Sequence, residues 1–302
     1  MTSSAMPRVQ SCVASSPKYS NKRALVRWIR RWAPPGLIET GLSALNYIRP
    51  APWEYVGEQW ASQLSVRGWN VSSIVEMQRK TWDDYAHSLT GPCALGLNHE
   101  DPAGPYSGRL RDHNTLVSYA YALALCARHK ERLSLLDWGG GMGHYYLLSQ
   151  SVLPDTEIDY YCQDIPLLCQ AGREMLPKAH FLHEPGECFG RPYDLVLASS
   201  SLWYEPDWHS LIDNLVASAS PYLYVSRMIF VDRAPSYVAI QRPFGVGYKT
   251  EYLCWILNRS DFLNYVHKCS MKLVREFLIS DAAHIHRAPE QGRYLGFLFR
   301  KT

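Results

Sequence analysis

The second half of the chain carries short apolar runs of strand length, separated by turns and by segments of helical length. Seven of these runs predict β-strands, at residues 133–138, 158–162, 180–182, 193–198, 222–231, 272–279 and 294–300. Helices are predicted between the early strands, at 145–152 and 165–175, an alternation typical of a parallel sheet wound with helices. The last two strands flank a loop too short for a good helix and predict an antiparallel hairpin. We therefore expect an α/β protein with a mostly parallel sheet.

The amino-terminal part has a different pattern. Residues 1–22 are polar and rich in Ser and Pro, which predicts a disordered leader. Residues 22–32 predict a short basic helix with two Trp residues on its apolar face, ended by Pro34 and Pro35. Two alternatives stay open for this helix: it contacts an anionic membrane surface, or it packs its apolar stripe on the body of the protein.

An aromatic-rich segment precedes the sheet. Helices are predicted at 72–86 and, leading into the first strand, at 114–130, with a long Gly- and Pro-containing loop at 91–110. The predicted organisation is a leader over 1–22, a mainly helical cap over 23–111 and a cofactor-binding domain over 112–302. We expect the cap to shape the site of the second substrate.

Composition and charge narrow the functional classes. The chain has 302 residues, 47% of them hydrophobic and 20% charged, as in a globular protein. Residues 1–50 hold eight Lys or Arg against one acid, whereas the remaining residues hold 23 against 27. The basic character is thus local, which argues against a nucleic-acid groove over the whole protein and leaves open only a basic arm that contacts phosphates. We predict no nucleic-acid partner. Eight cysteines without a CxxC pair indicate reduced, apolar side chains.

The sequence also bears on location. The longest nearly apolar run, residues 116–127, is shorter than the roughly 20 residues needed to cross a bilayer. The first 24 residues lack the apolar core of a secretory signal. We predict a cytoplasmic protein, which would lie at the inner membrane surface if the helix over 22–32 binds lipid.

A glycine-rich turn directly after the first strand carries the strongest chemical signal. The sequence LLDWGGGMGHYY places Asp137, Gly139, Gly141 and Gly143 between a strand and a helix. Glycines let the backbone approach a ligand, and the helix N-terminus offers free N–H groups. A dinucleotide fingerprint would need another glycine at position 144 or 146, which hold His and Tyr, so NAD and FAD are disfavoured. A phosphate-binding P-loop would end in Gly-Lys-Ser/Thr, which is missing here.

This run resembles the D/E-x-G-x-G-x-G loop of class I S-adenosylmethionine-dependent methyltransferases, whose Rossmann-like seven-stranded sheet also ends in an antiparallel pair. The resemblance covers about residues 112–302. LLDWGGGMG with QDIP at 163–166 is similar to the VDVGGGTG and FDLP pattern of small-molecule O-methyltransferases. Residues 51–60, APWEYVGEQW, resemble the opening of a small bacterial family of methyltransferase-like proteins encoded among surface-glycan genes. The resemblance implies S-adenosylmethionine as the cofactor.

Candidate cofactor contacts follow from position and from this resemblance. Asp164 stands about 20 residues after the glycines at the end of the second strand, where a carboxylate can bind ribose hydroxyls. It can also cap the following helix, and the two roles are compatible. The resemblance implies that Asp137 orients the loop or contacts the methionine amino group. Ser199, after the fourth strand, is a further candidate, and Glu184 or Glu187 could meet the adenine.

The segment after the fourth strand is expected to hold the methyl acceptor. It reads SSSLWYEPDWHSLIDNL and lacks the N/D-P-P-Y/F motif of nucleobase amino methyltransferases. Small-molecule O-methyltransferases often place a catalytic His nearby; here the candidates for a base are Tyr204, Glu205 and His209. Each also has a plain alternative, as a pocket wall or a solvated helix residue, and alignment alone can drive transfer from an activated methyl.

The predicted function is therefore transfer of a methyl group from S-adenosylmethionine to a small-molecule or glycan acceptor, on oxygen. The alternative is a non-catalytic relative that acts as a binding or partner subunit. No metal site is predicted, since the His-x-His at 284–286 has no evident third ligand.

Overall fold

The computed structural model describes residues 50–91, 95, 110–281 and 284–302. The predicted leader over 1–22, the predicted helix over 22–32 and most of the predicted loop over 91–110 lie outside the described residues.

The described residues form seven α-helices and ten β-strands. The helices are α1 (Ser72–Ser88), α2 (Leu110–Cys126), α3 (His144–Val152), α4 (Pro166–Met175), α5 (Pro185–Cys188), α6 (Trp208–Ser218) and α7 (Arg259–Lys268). The strands are β1 (Trp53–Gly57), β2 (Arg132–Trp138), β3 (Glu157–Gln163), β4 (His180–Leu182), β5 (Tyr193–Ser199), β6 (Ala219–Val231), β7 (Tyr237–Gln241), β8 (Tyr252–Asn258), β9 (Met271–Ser280) and β10 (Arg293–Lys301).

All ten strands join one sheet, in the order β1-β7-β8-β6-β5-β2-β3-β4, with β10 pairing both β6 and β9. The run from β8 through β6, β5, β2 and β3 to β4 is parallel. Strands β9 and β10 pair antiparallel, as do β1 with β7 and β7 with β8. The predicted α/β class, with a Rossmann-like parallel sheet and a carboxyl-terminal antiparallel hairpin, is confirmed.

Side chains of alternate strand residues enter two different apolar clusters, because successive side chains of a strand point to opposite faces. On β5, Val196 and Ala198 pack with α6 and α7, whereas Leu195 and Leu197 pack with α1 to α4. The sheet is thus covered by helices on both faces. Its loops at the carboxyl ends of β2, β3 and β5 meet at one edge. Among the described residues, no helix combines the length and apolar character needed to span a bilayer.

Three of the strands, β1, β7 and β8, and three of the helices, α5, α6 and α7, have no bounds predicted from the sequence. Strand β1 lies in the segment expected to be mainly helical, and its backbone pairs with β7 in the main sheet. Strands β7 and β8 are short, almost continuously apolar runs, which periodicity alone does not separate from buried helix. Helix α2 begins four residues before the predicted 114 and ends earlier than predicted, where His129 takes a left-handed conformation (φ 62°).

Candidate functional site

The glycine loop leaves β2 and turns sharply into α3. Gly139, Gly141 and Gly143 have φ values of +69°, +63° and +89°, in the region that favours glycine. Space is also restricted: a Cβ at Gly139 would collide with the Cβ of Ser201, and one at Gly143 would lie 2.8 Å from Cδ1 of Leu176. Backbone conformation and close packing therefore both require glycine along this loop.

Asp164 follows β3 and connects this loop to the next one. Its Oδ2 accepts a hydrogen bond from the Gly141 N–H (2.8 Å), and its Oδ1 accepts one from the Ile165 N–H (2.7 Å). Burial raises the pKa of Asp164 to about 6, and the two N–H groups oppose that rise. At pH 7 the ionised form of the side chain therefore predominates. Since a carboxylate can accept about four hydrogen bonds, each oxygen keeps capacity for a ligand hydroxyl.

Asp137 lies beneath the glycine loop and is fully buried. The Tyr160 hydroxyl donates to its Oδ2, while its Oδ1 has no partner among the described residues. A Cβ at Gly140 would lie 2.5 Å from Oδ2. Asp137 does not line the pocket described below. Asp137 thus lies against the glycine loop and outside the lining of that pocket, and its role of orienting the loop stays a prediction.

Burial raises the pKa of Asp137 to about 7, with the Tyr160 hydrogen bond acting in the opposite direction. The folded protein thus holds this proton more tightly than the unfolded chain does. The stabilisation that the protonated Asp137 gives the folded protein is complete below about pH 4 and is lost as the pH rises to about 7.

Asp137→Asn removes this titration. Between pH 5 and pH 8 the free energy of unfolding of the wild type should fall by about 2 to 3 kcal/mol more than that of the variant. Denaturant unfolding at several pH values measures the difference. Asp155→Asn, at an exposed position before β3, is the matched control and should follow the wild type. Parallel curves for wild type and Asp137→Asn would contradict the assignment.

A pocket opens where the three loops meet. It is lined by the glycine loop at 139–141, by Asp164 with Ile165 and Leu168, and by residues 199–201 with Tyr204 and Glu205. Six predicted site residues therefore come together at this pocket: Gly139, Gly141, Asp164, Ser199, Tyr204 and Glu205. Gly143 instead caps the N-terminus of α3.

The side of the pocket formed after β5 is polar at its base and aromatic at its mouth. The hydroxyls of Ser199 and Tyr145 lie 2.7 Å apart. Tyr204 donates to Oε1 of Gln241 (3.0 Å), and its ring meets the edge of Trp69 at 5.1 Å between centroids. Glu205 is an exposed residue at the mouth, where incomplete solvation and then the charge of Asp207 raise its pKa. A raised pKa makes this carboxylate a better proton acceptor.

His209 lies apart from this group. It stacks on Trp208 at 3.7 Å between ring centroids, on α6, with about half of its side chain exposed. It does not line the pocket. The structure brings Tyr204 and Glu205 to the pocket, and leaves His209 on the surface of α6.

The two glutamates that the sequence suggests for contact with the adenine instead cap a helix. Glu184 and Glu187 form a reciprocal capping box at the start of α5, and neither lines the pocket.

Within the described part of the chain, no group of three or more His, Cys, Asp and Glu side chains is arranged to hold a metal ion.

Three pocket residues lie far along the chain from every predicted site motif: Trp69, Gln78 and Arg227. Arg227 has φ +58° and lies where the pairing of β6 with β10 shifts register, so a local irregularity turns it toward the pocket. No pattern in the sequence predicts this irregularity of β6. The pattern of α1 does not single out Gln78 either, because Ser73 and Thr81 are polar residues on the same buried face.

No protein-family model matches the chain, and no curated protein sequence matches it significantly. Solved structures do resemble it. An S-adenosylmethionine-dependent methyltransferase from Clostridium acetobutylicum is 11% identical, with 62% of this chain and 91% of that chain covered and a TM-score of 0.41. DesVI from Streptomyces venezuelae is 16% identical over 62% and 91%, with a TM-score of 0.43. The mitomycin 7-O-methyltransferase MmcR is 17% identical over 74% and 68%, with a TM-score of 0.40. At these values the similarity carries no argument about activity, which has to be inferred from the site itself.

Proposed function

We propose that this protein transfers the methyl group of S-adenosylmethionine to an oxygen atom of a small-molecule or glycan acceptor. One observation carries the proposal: a glycine loop with three positive φ angles is hydrogen-bonded to the carboxylate of Asp164, and together they line a pocket at the carboxyl ends of β2 and β3. In open α/β sheets, ligands bind in the crevice at this edge.

The residues present fit this cofactor. The loop around Gly139 and Gly141 lets backbone approach the ligand closely. Asp164 would hold the ribose hydroxyls, since both of its oxygens keep accepting capacity. Ile165 and Leu168 offer apolar surface for the adenine beside Asp164. His144 and Tyr146, where a dinucleotide loop would have a further glycine, are both buried in α3.

The acceptor side supplies alignment and a base. The bound cofactor provides a methyl group on a sulfonium, which is already activated for transfer. The chain has to hold the acceptor hydroxyl in line, and the wall formed by Trp69 and Tyr204 can restrict water. Glu205 is placed to accept the proton of that hydroxyl, with its raised pKa favouring the role. The resemblance of residues 51–60 to a family encoded among surface-glycan genes supports a glycan acceptor.

Asp164→Asn tests the ribose contact. The amide has one acceptor oxygen and no charge, so S-adenosylhomocysteine should bind about 30-fold more weakly, a loss of about 2 kcal/mol. Isothermal titration calorimetry measures the affinity, with Asp155→Asn at the opposite end of β3 as the control for charge. If the loss is below about threefold in a folded variant, Asp164 serves the helix and the loop alone.

Methyl transfer itself is tested with S-adenosylmethionine that carries a deuterated methyl group, incubated with small-molecule and oligosaccharide fractions. Mass spectrometry should find a product with the labelled methyl on oxygen. Binding of the cofactor without any labelled product in those fractions would favour the alternative of a non-catalytic partner subunit. A label on nitrogen would overturn the proposed acceptor atom.

A further inference from the structure

Helix α1 comes before the alternating strands and helices that begin at β2, and it covers the glycine loop. Its Trp82 ring packs on the His144 ring, with 4.8 Å between centroids, and its Tyr85 hydroxyl donates to the His144 carbonyl (3.4 Å). His144 is the first residue of α3, directly after the loop. Helix α1 is therefore anchored to the structure that would hold the cofactor.

Gln78 lies on this buried face of α1 and is only 2% exposed. Its Nε2 lies 3.5 Å from the Tyr248 hydroxyl, at the long limit for a hydrogen bond, and its Oε1 has no partner among the described residues. Buried side-chain oxygens are nearly always hydrogen-bonded, and an unpaired one weakens the folded state. A ligand donor in the pocket would remove this penalty, because Gln78 lines that pocket.

The amide of Gln78 lies against the glycine loop at Gly141. A Cβ there would be 3.2 Å from Oε1 and 3.6 Å from Nε2. The N–H of the same Gly141 donates to Asp164, which we assign to the ribose. Gln78 thus stands on the β2 side of the ribose position, whereas the apolar Ile165 and Leu168 stand on the β3 side, where we place the adenine. The part of the cofactor on the β2 side is its amino-acid end.

We propose that Gln78 binds the amino-acid end of the cofactor, and that α1 is part of the cofactor site. This inference rests on the proposed function. The Gln78 Oε1 would accept a hydrogen bond from the α-ammonium group. The neighbouring carboxylate of the same end is an acceptor for the Nε2 donor, so the zwitterion matches both halves of the amide. The role expected for the aromatic-rich segment, to shape the acceptor site, is thereby extended to the cofactor.

The test compares two ligands that share adenine and ribose. S-Adenosylhomocysteine has the amino-acid end, and 5′-methylthioadenosine lacks it. Gln78→Met keeps the side-chain length and a similar volume but removes both polar atoms. In calorimetric titrations it should bind S-adenosylhomocysteine roughly tenfold or more weakly and keep its affinity for 5′-methylthioadenosine within about threefold. Lys80→Met, at an exposed position of the same helix, is the matched control and should bind both ligands as the wild type does.

Equal losses for both ligands in Gln78→Met would mean that Gln78 acts only by supporting Gly141, which overturns the inference. Unchanged affinities would overturn it as well. A wild type that binds neither ligand would instead refute the proposed function, so the two failures are distinguishable.

Discussion

Gly139→Ala is expected to weaken S-adenosylhomocysteine binding by more than about 100-fold, or about 3 kcal/mol. Two effects combine: the new Cβ would collide with the Cβ of Ser201, and an L side chain is strained at φ +69°. Relief requires the loop or Ser201 to move, and both line the pocket. Calorimetric titration measures the affinity, and thermal unfolding reports whether the variant is folded.

Two further variants separate the collision from general strain. Gly190→Ala also places alanine at a positive φ, +85°, but its Cβ would meet nothing within 4 Å. It should bind S-adenosylhomocysteine like the wild type. Combining Gly139→Ala with Ser201→Gly removes the colliding atom and should restore much of the lost affinity. If the double variant binds no better than Gly139→Ala, the collision with Ser201 is not the cause of the loss. If Gly139→Ala binds normally, the loop does not hold the cofactor.

Glu205→Gln is expected to lower the rate of methyl transfer roughly 100-fold, while the affinity for S-adenosylhomocysteine stays within about threefold. The glutamine amide is similar in size to the carboxylate, but it cannot take up the proton from the hydroxyl group of the methyl acceptor. An interaction made only in the transition state lowers turnover without weakening a neighbouring ligand. Turnover is measured with the labelled-methyl assay once an acceptor has been found.

Glu131→Gln, an exposed substitution before β2 at the other end of the sheet, is the control for Glu205 and should leave turnover unchanged. Tyr204→Phe and His209→Gln are measured in parallel, since the sequence predicts those residues as candidates too. A larger loss in either variant would move the role of base to that residue. Normal turnover in all three variants would mean that alignment alone accounts for catalysis.

The part of the site that the sequence predicts is the part built from local signals. One short stretch holds a strand, an acidic residue, alternating glycines and a following helix. The sequence therefore predicts where the loop around Gly139 and Gly141 lies in the fold. Asp164 is predicted because its distance from the glycines and its position at a strand end fix its location in a parallel sheet. The Gly141 N–H then confirms that the two loops meet.

The parts that the sequence misses depend on contacts between distant segments. Gln78 reaches Gly141 only because α1 packs over α3, and Arg227 reaches the pocket through an irregularity in β6. His209 shows the converse: it is near Glu205 in sequence, but the start of α6 at Trp208 directs it away from the pocket. Proximity along the chain does not decide which side chains share a cavity.

The central claim, that this pocket binds S-adenosylmethionine, is tested most directly by titrating the full-length wild-type protein with S-adenosylhomocysteine and, separately, with NADH in a calorimeter. We predict one S-adenosylhomocysteine site per chain and no heat of binding from NADH. Saturable binding of NADH with no binding of S-adenosylhomocysteine would contradict this claim and would indicate that the glycine loop binds a dinucleotide.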